Sequence, residues 1–300
     1  MQNAIINVNG EIVPGDQAQV SVYDRGFLYG DSLYEVARTY DGKYFGLDEH
    51  LARLTQSAAL CHIRLDQGSA QLRAEMERTA EAFRRQPGRA STDVYARLIV
   101  TRGRGKIGFS QSCVLTPTQY VIIAQPVDAP TPAQYSKGCA LQVAERLRLD
   151  RRALDPAMKS GNYLNSVLAY LEAAQDGFDD ALLCNADGHV TEGTTFNIYY
   201  IKRGILVTPP LDIGILDGIT RRFVLAAATQ LAIPYREVRF PRERLYEADE
   251  AFLTGSVKEV FPVTRIDDVT LGQGRPGPLT DRLHAAYQAL LPNAKKTEKK

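Results

Sequence analysis

Apolar positions recur along this chain in two rhythms. The first is short runs broken by turn dipeptides. Ile5-Ile-Asn-Val8 and Glu11-Ile-Val13 flank Asn9-Gly10, and Ser32 to Tyr40 and Lys43-Tyr-Phe45 flank Asp41-Gly42. Such dipeptides tolerate the positive φ of tight turns, so both predict hairpins. The second rhythm is helical. Leu51, Leu54, Ala58 and Cys61 recur behind Asp48, read as an N-cap, and Leu72, Met76, Ala80 and Phe83 make a second stripe. Strands are expected at 94–101 and 120–125.

Pro126, Pro130 and Pro132 interrupt regular structure and read as a linker. Beyond it the pattern predicts a strand at 139–145, then a helix after Lys159 whose apolar face is Leu164, Val167, Leu168 and Leu171. Hairpins follow around Ala186-Asp-Gly188 and Arg203-Gly204. A helix is expected over 219–232, a strand at 251–253, a brief helix opened by Gly255-Ser256 and a last helix over 279–291. Strands gather in hairpins rather than alternating with helices, which favours an α+β arrangement over a doubly wound sheet. The expected division is a smaller α/β domain at 1–125, a linker at 126–136, a larger cofactor-binding domain at 137–292 and a disordered tail at 293–300.

Three hundred residues exceed what one core comfortably serves, which agrees with two domains. A net charge of +1 gives no electrostatic case for nucleic acid or an acidic membrane surface. Cys61, Cys113, Cys139 and Cys184 are scattered among apolar neighbours and read as free thiols in a reducing compartment. Four distant histidines offer little for a metal site. No segment reads as a signal peptide or a membrane span, so a cytoplasmic location is expected.

Three features carry chemistry. Lys159, in Ala157-Met-Lys-Ser-Gly-Asn-Tyr163, is by default a solvated charge. Its apolar flanks predict partial burial, which makes an amine a better nucleophile toward an aldehyde. Glu192 is by default a surface carboxylate past a hairpin; buried, it would keep a pyridine nitrogen protonated, with Asn197 orienting it. Gly218-Ile-Thr220 opens a helix whose free amides suit a phosphate, Gly255-Ser256 offers a second such site, and Arg53 is a cation for direct pairing. Singly, each helix start is an ordinary cap. Together an amine, a carboxylate and a phosphate cradle are what a pyridoxal 5'-phosphate (PLP) enzyme supplies.

The segments Glu192-Gly-Thr-Thr-Phe-Asn-Ile-Tyr199, Leu206-Val-Thr208 and Leu216-Asp-Gly-Ile-Thr-Arg221 resemble the signature of the class IV aminotransferases, the fold type IV PLP enzymes. Asp24 to Val36, Glu49-His-Leu-Ala-Arg53, Lys159 to Ser166 and Phe252-Leu-Thr-Gly-Ser256 resemble further family motifs in the same order. The resemblance implies a two-domain architecture like that of D-amino-acid aminotransferase. It implies that Lys159 forms the internal aldimine and shuttles the substrate proton, that Glu192 pairs with the pyridine nitrogen and that Tyr163 donates to the ring hydroxyl. Arg53, Ile219, Thr220 and Ser256 would hold the phosphate, and Leu216 would pack on the ring. A homodimer with its active site near the subunit interface is also implied.

The pocket residues decide the substrate. Tyr95 and Arg97 alternate onto one strand face, by default a solvated pair. Within the family a Tyr-x-Arg strand resembles the branched-chain enzymes, where the arginine helps bind the distal carboxylate of glutamate or 2-oxoglutarate. Gly105-Lys-Ile-Gly108 is similar to their turn. Tyr34 and Asp24-Arg25-Gly26 are closer to the D-amino-acid enzymes, although Arg102, Arg104 and Lys106 include no histidine for the Arg-x-His trap of those enzymes. Val257 joins Tyr34, Tyr95 and Arg97 as a candidate substrate contact. The expectation is transamination from a hydrophobic L-amino acid to 2-oxoglutarate. The alternatives are a D-amino-acid or (R)-amine transaminase, an aminodeoxychorismate lyase, and, from another class, a low-turnover PLP-binding or regulatory protein.

Overall fold

The computed structural model describes residues 4–292, so the tail at 293–300 lies outside the described residues. Two compact units emerge. The first ends at Asp128 and takes back Met158–Asn162; the second comprises Ala129–Ala157 and the described residues from Tyr163 onward.

The first unit runs β1 (Ile5–Val8), β2 (Glu11–Pro14), α1 (Arg25–Tyr29), β3 (Ser32–Tyr40), β4 (Lys43–Tyr44), α2 (Leu47–Leu60), α3 (Ser69–Arg84), β5 (Val94–Thr101) and β6 (Gln119–Pro126). Its strands form one antiparallel sheet in the order β2-β1-β6-β5-β3-β4 among the described residues. Alternation sends Val94, Ala96, Leu98 and Val100 of β5 into the core, against Leu51 and Leu54 of α2 and Met76 and Phe83 of α3. Tyr95, Arg97 and Ile99 take the opposite face, half-buried. Asn9 and Asp41 adopt the positive φ that both hairpin turns require. Asp48 does not cap α2. Gly46 holds that position in a left-handed conformation, and Asp48 sits in the first turn, paired with Arg73.

The second unit runs α4 (Pro132–Lys137), β7 (Cys139–Val143), α5 (Leu164–Gln175), β8 (Asp180–Cys184), β9 (Val190–Gly193), β10 (Asn197–Lys202), β11 (Ile205–Thr208), α6 (Ile219–Gln230), β12 (Tyr235–Glu237), α7 (Glu243–Tyr246), β13 (Glu250–Gly255), β14 (Glu259–Ile266), β15 (Val269–Thr270) and α8 (Pro278–Gln288). The sheet order is β12-β11-β10-β13-β14-β7-β8-β9, with β15 beside β14. Hairpin neighbours are antiparallel, while β7–β8, β7–β14 and β11–β12 are parallel, so the sheet is mixed.

Three expectations change here. Pro132 starts α4 instead of breaking it: a proline in the first turn gives up only an amide that has no helical partner, and Thr131 and Gln134 close a capping box. Gly255-Ser256 opens no helix. Residues 256–258 are the turn joining β13 to β14. In α5 the buried face is Ser166, Ala169 and Ala173, packed with Ala144, Ala181 and Leu183. Leu164, Val167 and Leu171 are exposed and Leu168 is half-buried, because small side chains bring α5 close to β8 and turn the larger stripe outward. No helix among the described residues is long and apolar enough to cross a membrane.

Candidate active site

On the first unit, Lys159 arrives on a short extended segment that joins the edge of β3. Tyr34 N donates to Lys159 O at 3.0 Å, Gly161 N donates to Ser32 O at 2.8 Å, and Leu33 bridges Ser160. Gly161 is required by this approach, since a Cβ there would lie 2.2 Å from Ser32 Oγ. Lys159 N also donates to Ser57 Oγ at 3.2 Å, fixing the segment to α2. The Lys159 ammonium donates to the Tyr34 hydroxyl at 2.9 Å and lies 4.3 Å from the ring centre. From β5, the neighbouring strand, the Arg97 guanidinium lies 4.3 Å from the centre of the same ring. Two cations on one buried phenol make an electropositive, aromatic face, with Tyr95 beside it on β5.

Arg53 belongs to a buried cluster on the helix side of the same sheet. Its Nε and Nη2 donate to Glu35 at 2.8 and 2.7 Å, and His50 Nδ1 lies 2.7 Å from the same carboxylate. Burial pushes the Glu35 carboxyl up, but the Arg53 charge and hydrogen bonds, together with His50, outweigh it and hold it down at about 2. His50 goes down as well, chiefly because burial disfavours its charged form. His50, Arg53 and Ser57 recur along α2 as one buried polar stripe, which fixes the direction of the Arg53 fork.

On the second unit, Glu192 lies on β9 and is buried. Arg148 donates to its Oε1 at 2.7 Å, and Leu216 N donates to Oε2 at 3.0 Å. Asn197 approaches Oε2 at 3.5 Å and donates to Leu216 O at 2.9 Å, so it ties the carboxylate to the Leu216 segment as the sequence suggests. Burial and the Glu192 charge push the Tyr163 phenol upward, which keeps it a donor. Ile219 and Thr220 begin α6, both buried, behind Gly218, which caps without any side-chain hydrogen bond. Those first amides and the Thr220 hydroxyl are the donor set a phosphate needs. Ser256 and Val257 lie half-buried on the turn after β13. Buried carboxylate, high phenol and uncapped helix start therefore fit a phosphorylated pyridine.

Arg148 has no legible signal in the sequence. It lies in a basic run, Arg146-Leu-Arg-Leu-Asp-Arg-Arg152, where nothing singles it out. Asp31 is equally silent there. It accepts from Arg25 Nε at 3.0 Å and from Arg102 at 2.7 and 3.0 Å, while Arg102 also donates to Cys61 O and His62 O. Arg102, in sequence a loop cation, is thus committed to anchoring that loop. His50 and Ser57 do carry a legible signal, their helical spacing with Arg53.

A family model described as amino-transferase class IV matches residues 32–266. The D-alanine aminotransferase of Bacillus licheniformis is 36% identical over 280 residues, spanning 93% of this chain and 94% of that protein. The branched-chain amino acid aminotransferase structure from Escherichia coli superposes with a TM-score of 0.89 at 30% identity, covering 98% of this chain and 96% of the other. A branched-chain amino acid aminotransferase from Thermoproteus uzoniensis, with norvaline, gives a TM-score of 0.84 at 30% identity over 97% and 96% of the two chains. Another branched-chain enzyme structure, complexed with N-(5'-phosphopyridoxyl)-L-glutamate, gives a TM-score of 0.86 at 30% identity over 97% and 95% of the two chains.

Proposed function

The chain belongs to the class IV aminotransferases, PLP-dependent enzymes, and from that premise we propose that it moves the amino group of a hydrophobic, branched-chain type L-amino acid to 2-oxoglutarate. The observation that carries the substrate reading is Arg97 stacked on Tyr34, whose hydroxyl meets Lys159. A carboxylate is the natural ligand of such a face, and Arg97 is the fixed cation on it. A relative bound to a phosphopyridoxyl-L-glutamate adduct supports the acceptor class.

When bound, PLP withdraws the electrons left at the substrate Cα. The residues do the rest. Lys159 Nζ would carry the proton from the substrate Cα to the cofactor carbon, and the Tyr34 hydroxyl 2.9 Å away orients the amine. Glu192, held by Arg148, Leu216 N and Asn197, would accept from the pyridine N–H. Tyr163 would donate to the ring hydroxyl, and Leu216 would pack on the ring. Ile219 and Thr220, with Ser256, would hold the phosphate, and Arg53, oriented by Glu35, would pair with its charge; Tyr95 and Val257 are the proposed substrate contacts. We assign the chain to a homodimer in a reducing, cytoplasmic setting, supported by exposed apolar side chains on α5 and α1 and by four free cysteines.

Tyr34 and the D-alanine aminotransferase relative support a second reading, a D-amino-acid transaminase. Mixing the purified yellow protein with L-leucine and D-alanine separately distinguishes the two, by loss of the cofactor's absorbance as its amine form appears. Conversion by L-leucine, weakened about a hundredfold in kcat/KM with glutamate by Arg97→Ala, supports the first reading. Conversion by D-alanine alone overturns it.

A further inference from the structure

The turn carrying Ser256 and Val257 closes in an unusual way. Gly255 pairs with Glu259 across the β13–β14 hairpin, and residues 256–258 form the loop. Glu259 has a φ of 56°, the left-handed conformation that hairpin loops normally give to glycine or asparagine. A glutamate there carries backbone strain, and its side chain is held. It is buried, and its Oε2 lies 3.0 Å from His284 Nε2 and 3.4 Å from Gln288 Nε2, both on α8. The residue before it is fixed twice. Tyr135 donates its hydroxyl to Lys258 O at 2.9 Å, with its ring stacked on His284 at 4.7 Å. The Lys258 ammonium pairs with the buried Asp180 at 3.7 Å. The loop is therefore clamped at its closing end, next to the two residues assigned to cofactor and substrate.

We propose that Glu259, held by His284 and Gln288, is a positioning residue that sets the Ser256–Lys258 turn for the phosphate and the substrate. The proposal rests on the reading of Ser256 and Val257 given above. An ordinary hairpin residue with a φ of 56° would be improved by glycine, since glycine removes the backbone strain. In a positioning residue the same change would still weaken cofactor and substrate binding, because glycine also removes the carboxylate that orients the loop. The two roles therefore separate in one substitution.

The test uses the full-length protein, freed of cofactor and retitrated with PLP, alongside thermal midpoints and amino-donor KM of the reloaded enzyme. Glu259→Gly and His284→Ala are expected to weaken PLP binding about tenfold and to raise KM more than they lower kcat. The Glu259→Gly midpoint should not fall, and His284→Gln, whose amide still donates to Glu259, should recover most of the affinity. Tyr135→Phe removes a single hydroxyl and is expected to show a smaller loss in the same direction. Wild-type PLP affinity in Glu259→Gly and His284→Ala, beside a tenfold loss in Ser256→Ala, overturns the positioning role. If those two variants do not fold, wild-type affinity in Tyr135→Phe overturns it instead. An unchanged Ser256→Ala protein overturns the phosphate reading of the turn, and the proposal falls with it.

Discussion

Glu35 is a carboxylate with almost no access to water, and its ionisation is tied to folding. Its folded value of about 2, set against an ordinary 4.5, means that the unfolded chain takes up the proton first as pH falls. The stability it contributes is complete above 4.5 and is lost as pH drops from there through 2. His50 works in the same direction from a higher starting point: its folded value lies below 6.5, so the unfolded chain also gains that proton first and stability begins to fall below 6.5. Removing the carboxylate leaves Arg53 uncompensated. Glu35→Gln is expected to cost about 3 kcal/mol at pH 7. Denaturant titrations across pH should show that cost shrinking below pH 4.5; a constant gap down to pH 2 would show that Glu35 is not ionised in the folded protein. The cluster is legible only in part from sequence. Sequence marks Arg53 for a phosphate, but its carboxylate partner lies 18 positions away on another element.

At the scale of elements, the start of α6 joins two proposed roles at one glycine. Gly218 has a φ of −67°, open to any residue, so its backbone does not require glycine. Space does: a Cβ would lie 2.2 Å from Asn197 Oδ1, and Asn197 ties Glu192 to Leu216. Gly218→Ala must displace that amide or the first turn of α6, at about 1–3 kcal/mol. PLP titration should show weakening of about tenfold or more, with the bound cofactor's absorbance altered by a shifted Glu192. Wild-type affinity and spectrum would mean the helix start yields without consequence. Helix starts, hairpins and strand alternation follow local rules, which is why α6, the Asn9-Gly10 turn and the shared face of Tyr95 and Arg97 on β5 all appear where the sequence predicts. The turn at 256–258 reads as a helix start in sequence because Gly-Ser is compatible with either; the pairing of Thr254 with Val260 across the hairpin decides it.

At the scale of the molecule, the exposed apolar residues need an occupant. Leu164, Val167, Tyr170 and Leu171 form the outer stripe of α5, while Phe27, Ile107 and Phe109 stand out on the first unit. The proposed homodimer would cover such surface. Val167→Lys with Leu171→Lys is expected to yield monomers by light scattering while the thermal midpoint of the fold changes little, since neither side chain is in the core of its unit. A dimer that persists in the double variant would assign the interface elsewhere.

By itself the sequence determined most of the hairpins and long helices, the α+β character and the enzyme family. The candidate amine, carboxylate and helix start sit in motifs that are contiguous in the chain, and the class IV signature is written in runs of a few residues. Only the tertiary structure decided which distant residues serve those motifs. Lys159 meets a tyrosine 125 positions earlier because its segment pairs with β3, and no local propensity encodes that pairing. Arg148 reaches Glu192 from a basic run whose later members, Arg151 and Arg152, are exposed. Which stripe of α5 turns inward was likewise settled by packing, since periodicity marks a face but not which face has a partner. Contacts between positions far apart in sequence depend on the energy of the whole fold, and only the folded chain selects them.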